Sequence, residues 1–191
     1  MKGVRVHVVL LVLAAALAVF VWTRDKKPAI AAGNVTVWNG RAPSVERIAF
    51  ESKGKTTVLE SKKDAQGRFW AGSIDGGPKA ASFVSVAAGD RIADALAPMK
   101  AVREIGRVEG ERATDFGMNE PEGKLTVRVA GTDHVVTVGV KTPGGGDRYV
   151  RDDASGIVYA VHGDAMRDLE AGETTLAEHE PHGWKDADVE S

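Results

Sequence analysis

A run of fifteen apolar residues, Val8 to Trp22, stands between Lys2, Arg5 and His7 on one side and Arg24, Lys26 and Lys27 on the other. A stretch of that length cannot be solvated as part of a folded surface. It must meet the translocon, and the polypeptide behind it is delivered across a membrane. Two fates are open to it. With Val4 and Val6 the stretch approaches the ~20 residues that span a hydrocarbon core as a helix, and Trp22 stands where an interfacial aromatic anchor would. On that reading 1–25 is a retained signal anchor or transmembrane helix and 26–33, with Pro28 and small residues, is a linker. The alternative is a cleaved signal peptide, with Ala29 and Ala31 forming a small-x-small site before Ala32. The charged stretch Arg24 to Lys27 separates the apolar run from that site and favours retention. Basic residues flank both ends, so the simpler topology, a short tail inside and the large domain outside, follows from size rather than from charge asymmetry.

Composition narrows what the exported part can be. The chain contains no cysteine, which excludes lipidation at a thiol, disulfides, thiolate metal sites and a cysteine nucleophile. A formal net charge of -2 is not the basic face that phosphate-backbone binding requires, so nucleic acid is not an expected partner. The remaining roughly 155 to 165 residues suffice for one core.

Along 34–172 the pattern predicts an α+β domain of two antiparallel meanders with short helices. Val35 and Val37 alternate with Thr36 and Trp38. Val45 to Glu51, Thr56 to Ser61 and Arg68 to Ser73 read as successive strands, separated by turns at Gly54 and at Asp64 to Gly67. The glycine-rich loop Asp75 to Pro78 leads through Phe83 to Val86 into a helix with Asp90 as N-cap, an apolar stripe of Ile92, Ala95 and Leu96, and Pro98 as its stop. Met99 to Val108 is extended. One helical turn should end at Gly117 in a left-handed conformation with Met118 folding back. Lys124 to Ala130 and Val135 to Val140 then form strands on either side of a turn at Gly131 to Asp133. The loop Thr142 to Gly146 precedes Arg148-Tyr149-Val150, which echoes Arg68-Phe69-Trp70 in its place after a hairpin. Two such meanders suggest a duplicated unit. Asp152 to Gly156 is a turn, Ile157 to Val161 a strand, and Asp164 caps a last helix that stops at Gly172. The tail 173–191 is polar and acidic, docking only through Leu176 and Trp184.

These residues resemble the bacterial domain-of-unknown-function family four-three-four-zero. The resemblance rests on Phe116-Gly117-Met118-Asn119-Glu120-Pro121, on Gly144-Gly145-Gly146-Asp147-Arg148-Tyr149-Val150-Arg151 and on Ile157-Val158-Tyr159. In the family an aromatic-Gly-Leu-x-x-Pro turn precedes a sheet with a Y-V-R strand and a V-Y strand. Met118 replaces the usual leucine and keeps the apolar contact. Upstream, the Val45 to Ile48 strand, the Arg68 to Trp70 strand and the helix at Asp90 occupy matching places, so the resemblance covers most of Val45 to Leu169. It implies a single-pass bacterial inner-membrane protein with an extracytoplasmic domain, linked to an ABC-type transporter of the gliding-motility kind. The implied partners are membrane lipid through the N-terminal helix and other proteins of the membrane complex.

No constellation points to a reaction or a cofactor. Thr142-Pro143-Gly144-Gly145-Gly146 lacks the lysine and the following helix of a phosphate loop and reads as a hairpin. His179 and His182 are the nearest approach to a metal pair, but Pro181 breaks the helix on which their spacing would converge. Asp147, Asp152 and Asp153 are placed at one sheet end, without calcium-loop spacing. Ser82 and Ser85 stand in an extended stretch with no nucleophile elbow. His134 reads as a turn histidine, Asp115 and Glu120 as carboxylates flanking a turn, and Asn34-Val35-Thr36 as a chance glycosylation triplet. Strand aromatics Phe69, Trp70, Tyr149 and Tyr159 are expected against the helices. For a partner-binding face the candidates are Trp38, Trp184, Tyr149 and Arg151. The expectation is a non-catalytic accessory or binding module of an envelope complex. The alternatives are an exported enzyme acting on polysaccharide or peptidoglycan and a carbohydrate-binding envelope protein.

Overall fold

The computed structural model describes residues 35–65, 67–76 and 80–178. The apolar run Val8 to Trp22, the linker 26–33 with Ala31, Asn34, Pro78, His179, His182 and Trp184 lie outside them. No helix among the described residues is long and apolar enough to cross a membrane.

The domain is mostly antiparallel sheet with a few short helices. Its strands are β1 (Val35–Trp38), β2 (Val45–Ser52), β3 (Lys55–Lys63), β4 (Arg68–Asp75), β5 (Ala81–Ser85), β6 (Met99–Arg107), β7 (Gly123–Val129), β8 (Thr132–Lys141), β9 (Asp147–Asp152) and β10 (Ile157–His162). All belong to one sheet in the order β1-β6-β10-β9-β8-β7-β2-β3-β4-β5. The helices are α1 (Ala87–Leu96), α2 (Arg112–Asp115), α3 (Asp164–Ala171) and α4 (Glu173–Leu176), with a 3-10 turn at Ala42–Ser44.

The two expected meanders are therefore halves of one sheet, joined where β2 pairs antiparallel with β7. Their construction matches step by step. Each opens with a hairpin whose two turn residues both have positive φ, Lys53 and Gly54 (53° and 71°) in the first and Ala130 and Gly131 (48° and 80°) in the second, the geometry that follows the strand twist. The second turn lies at 130–131, one residue earlier than the glycine alone indicates, because Ala130 takes the left-handed position and Thr132 already pairs with Val129. In each half the third strand carries an arginine at or next to its start, Arg68 opposite Lys63 and Arg148, the second residue of β9, opposite Lys141. In each half the fourth strand leads directly into a helix.

Two helix starts differ from the sequence expectation. Asp90 lies inside α1, which begins at Ala87. The hydroxyl of Ser85 accepts the Gly89 N–H at 3.0 Å, and the Asp90 carboxylate accepts the Trp70 indole N–H at 2.9 Å. The buried stripe of α1 is Gly89, Ile92, Ala93 and Leu96, so Ala93 rather than Ala95 faces the core. Asp164 is the first residue of α3 after Gly163, and its carboxylate pairs with Arg167 at 2.8 Å. Past Gly172 (φ 65°), packing continues through α4. Leu176 is buried, and the Glu178 N–H donates to the Val84 carbonyl at 2.8 Å.

The main core lies between the sheet and α1, α3 and α4, with Ile48, Phe50, Leu59, Trp70, Leu125, Val127, Val150, Met166 and Leu169 among its members. A second cluster of Ala113, Met118, Tyr149, Val158 and Ala160 lies under α2. Tyr149 alternates with Arg148 and Val150 along β9 and so faces the other side of the sheet. The α2 turn ends as its sequence predicts. Gly117 has φ 70° and the Met118 N–H returns to the Ala113 carbonyl at 2.9 Å, a left-handed helix stop.

Candidate ligand-binding cavity

The β2–β3 hairpin, the start of β7, the start of β9 and the C-terminal end of α3 converge on one region. Arg148 lies at its centre, at 4% exposure. Its Nη1 donates to Glu122 Oε2 at 2.8 Å, and its Nη2 lies 3.1 and 3.2 Å from the two carboxylate oxygens of Glu170. A buried guanidinium needs such partners, because its desolvation would otherwise cost several kcal/mol. The two carboxylates come from distant segments, Glu122 from the chain entering β7 and Glu170 from α3. Arg148 thus ties helix to sheet. Ser52 Oγ donates to the Glu122 carbonyl at 2.9 Å and lies 3.3 Å from Glu170 Oε1. Lys55 Nζ donates to the Glu170 carbonyl at 3.0 Å.

Arg68 performs the corresponding task in the first half. It donates to Ser61 Oγ at 3.0 Å and to the carbonyls of Ala42 and Val45 at 2.9 and 3.0 Å, holding the segment that enters β2. Its guanidinium lies 4.4 Å from the Trp70 ring centroid, a favourable cation–π placement.

Beside the Arg148 clamp is a cavity of ≈ 300 Å³ lined by Phe50, Ser52, Lys53, Lys55, Thr57, Gly76, Leu169 and Glu170. Phe50 and Leu169 reach it from the core but are themselves 1% and 0% exposed, and the two lysines stand at its edge. On the other side of the hairpin a shallower cleft of ≈ 410 Å³ shares Ser52, Lys53 and Lys55 and adds Glu51, Glu122 and Lys124.

The residues proposed from sequence are distributed differently. Trp38 is a core residue at 6% exposure, its indole N–H donating to the Leu96 carbonyl at 2.9 Å and its ring stacked on His134 at 5.0 Å. Tyr149, at 8% exposure, packs edge-on against Phe116 at 4.8 Å. Neither is an exposed contact, because each completes a hydrophobic cluster. Arg151 is half-buried, with Nη2 3.4 Å from Thr137 Oγ1. Trp184, His179 and His182 are outside the described residues. Among those residues no group of three or more His, Asp or Glu could hold a metal ion.

The three aspartates do not share one sheet end. Asp147 opens β9 and meets His162 Nδ1 at 2.9 Å. Asp152 closes β9 and binds the Ser155 hydroxyl and backbone N–H at 2.6 and 3.0 Å, and Asp153 accepts from Thr137 at 2.8 Å. A strand of six residues separates its ends by about 17 Å. The loop Thr142 to Gly146 is a hairpin, closed by the Thr142 N–H on the Asp147 carbonyl at 2.9 Å. Sequence reading missed Ser52, Lys53, Lys55, Glu122 and Glu170 because they are far apart in the chain. The available signal was Arg148 itself, a charged residue in phase with the buried Val150.

A family model described as Domain of unknown function (DUF4340) matches residues 86–191. The matched stretch holds α1 and the whole second half of the sheet, including Arg148, Glu122 and Glu170. The upstream strands at Val45 to Ile48 and Arg68 to Trp70 lie before it. No curated protein and no solved structure matches the chain.

Proposed function

The chain belongs to the DUF4340 family, and from that premise we propose that it is a non-catalytic, membrane-anchored extracytoplasmic accessory or binding module of a transporter-associated or motility-associated envelope complex. The apolar run Val8 to Trp22 with its basic flanks supports a single-pass anchor in the bacterial inner membrane. On this reading the short N-terminal tail stays inside and the large domain, joined through the linker 26–33, lies on the outer side.

The observation that supports the binding reading is the cavity beside the Arg148 clamp. The most buried charges of the site neutralise one another, Arg148 with Glu122 and Glu170, and so act on the fold. Of the cations at the cavity edge, Lys53 is exposed and can meet another molecule, while Lys55 is half-buried against the Glu170 carbonyl. Affinity purification of the full chain from detergent-solubilised membranes tests the reading. Reproducible co-purification of integral membrane proteins is expected, and recovery of the chain as a free monomer would count against it. A reporter fused to the C-terminus tests the topology independently: a cytoplasmic signal would overturn the compartment.

A further inference from the structure

We infer that Asn39 is a site of spontaneous covalent modification, where the Asn39–Gly40 peptide closes to a succinimide and reopens as isoaspartate or aspartate. This chemistry requires neither the membrane anchor nor the cavity described above. It depends on where the fold puts the dipeptide. The chain has three asparagines, and only Asn39 is followed by glycine. Asn39 is exposed in the loop between β1 and the 3-10 turn. Among the described residues, neither its side chain nor the Gly40 N–H makes a hydrogen bond. Both residues line an open cleft of ≈ 520 Å³, so the side-chain amide has room to rotate onto the backbone nitrogen. Asn119 is the contrast. Its Nδ2 donates to Thr114 Oγ1 at 2.8 Å, and Glu120 after it carries a side chain beside the nitrogen that would have to attack.

In the first step the Gly40 nitrogen attacks Asn39 Cγ. The N–Cγ bond forms, the Cγ–Nδ2 bond breaks, and Nδ2 leaves as ammonia with the proton that Gly40 N gives up. Water then adds to one of the two ring carbonyls. Opening at the main-chain carbonyl leaves Gly40 joined through Cγ, an isoaspartate, and opening at Cγ gives aspartate. Water is the one co-reactant, and nothing is oxidised or reduced. The fold both keeps the dipeptide and accepts its product. A Cβ on Gly40 would lie 3.1 Å from Val129 Cγ1 and 3.2 Å from Ala97 Cβ, closer than ordinary contact, so packing favours glycine at this position. The same missing Cβ leaves the nitrogen open to close approach. The new carboxylate stands two residues from Arg41, which lines the same cleft and has no ion pair among the described residues. A neighbouring cation favours the ionised carboxylate.

The test incubates the full chain in detergent at mildly alkaline pH, native and in guanidinium chloride, with digestion and mass spectrometry at intervals. The peptide bearing Asn39 is expected to gain the mass of a hydroxyl in place of an amino group, in two chromatographic forms and at a rate that rises with hydroxide concentration. Protein isoaspartyl methyltransferase with labelled S-adenosylmethionine should label that peptide. Because the dipeptide is free in the fold, its rate in the native chain should stay within about tenfold of the rate in denaturant, while Asn119 stays unmodified. Asn39→Gln, which would have to close a six-membered ring, should remove the label from that peptide without altering the melting temperature. Reaction at Asn39 in denaturant but not in the native chain would show that the fold immobilises the dipeptide and would overturn the inference. So would label confined to the other exposed acyl-glycine pair, Asp75–Gly76, whose N–H is already bonded to Asp75 Oδ1 at 2.8 Å.

Discussion

Replacing Arg148 by Met removes the guanidinium while keeping much of the apolar volume of its stem. Three hydrogen-bond contacts to two carboxylates disappear, at 2.8, 3.1 and 3.2 Å. Breaking a buried ion pair by deleting one partner costs about 3–5 kcal/mol, chiefly because the other charge is left unpaired. Here the orphaned side chains retain some water, Glu122 at 34% and Glu170 at 23% exposure, so the lower end, about 3 kcal/mol, is expected. For a domain of this size that corresponds to a fall in melting temperature of about 6–12 °C. Urea unfolding of the full chain in detergent, followed by tryptophan fluorescence, reads the difference as a shift in midpoint at constant slope. Adding Glu122→Gln and Glu170→Gln to Arg148→Met removes both unpaired charges, and at least half of the lost stability should return. A loss below about 1 kcal/mol, the size expected of an exposed pair, would refute the clamp. So would a triple variant no more stable than the single one.

Gly89→Ala should destabilise despite the helix-favouring substitution. A Cβ there would collide with the Trp70 ring, and overpacking costs about 1–3 kcal/mol against a propensity gain of about 1 kcal/mol; a more stable variant in thermal melts would show that α1 does not rest on Trp70. The Tyr159 phenol is held above its ordinary value by burial first and by the Glu104 and then the Asp152 carboxylate, with the Ser155 hydrogen bond opposing. Because the folded value is raised, the stability linked to this group is intact below the unfolded value of 10.0 and is lost as pH climbs through the folded one. Denaturant midpoints measured from pH 9 upward should therefore fall less steeply in Tyr159→Phe than in the unmodified chain, and parallel curves would contradict the assignment.

Several local elements were legible in the chain because their signals are local. Gly117 followed by Met118 specifies a helix stop with one apolar contact, and the return bond from Met118 to Ala113 closes within a few residues. Strand alternation likewise places Ile48, Phe50, Val127 and Val150 on one face. The helix starts were less legible, since the hydroxyl of Ser85 serves α1 from outside it and leaves Asp90 to Trp70. Trp38, outside the main alternation, and Tyr149, one of the strand aromatics expected against a helix, are both core residues, because α1 brings the Leu96 carbonyl to the first and the turn after α2 brings Phe116 to the second.

Sequence alone determined the class of the domain, its strand pairs and turns, the kinship shown by the Phe116 to Pro121 and Tyr149 to Arg151 segments, and the apolar run that bears on compartment. Hydrophobic period and turn chemistry act over two to ten residues and are written directly in the chain. Only the tertiary structure joined two meanders through β2 and β7 into one ten-stranded sheet. It alone brought Ser52, Lys55, Glu122, Arg148 and Glu170 to one place. A contact between Ser52 and Glu170 spans 118 positions, and no periodicity records it. Its geometry arises from burial of the α3 stripe against the sheet, which sets Glu170 over Arg148 and leaves Lys53 and Lys55 at the edge of a cavity.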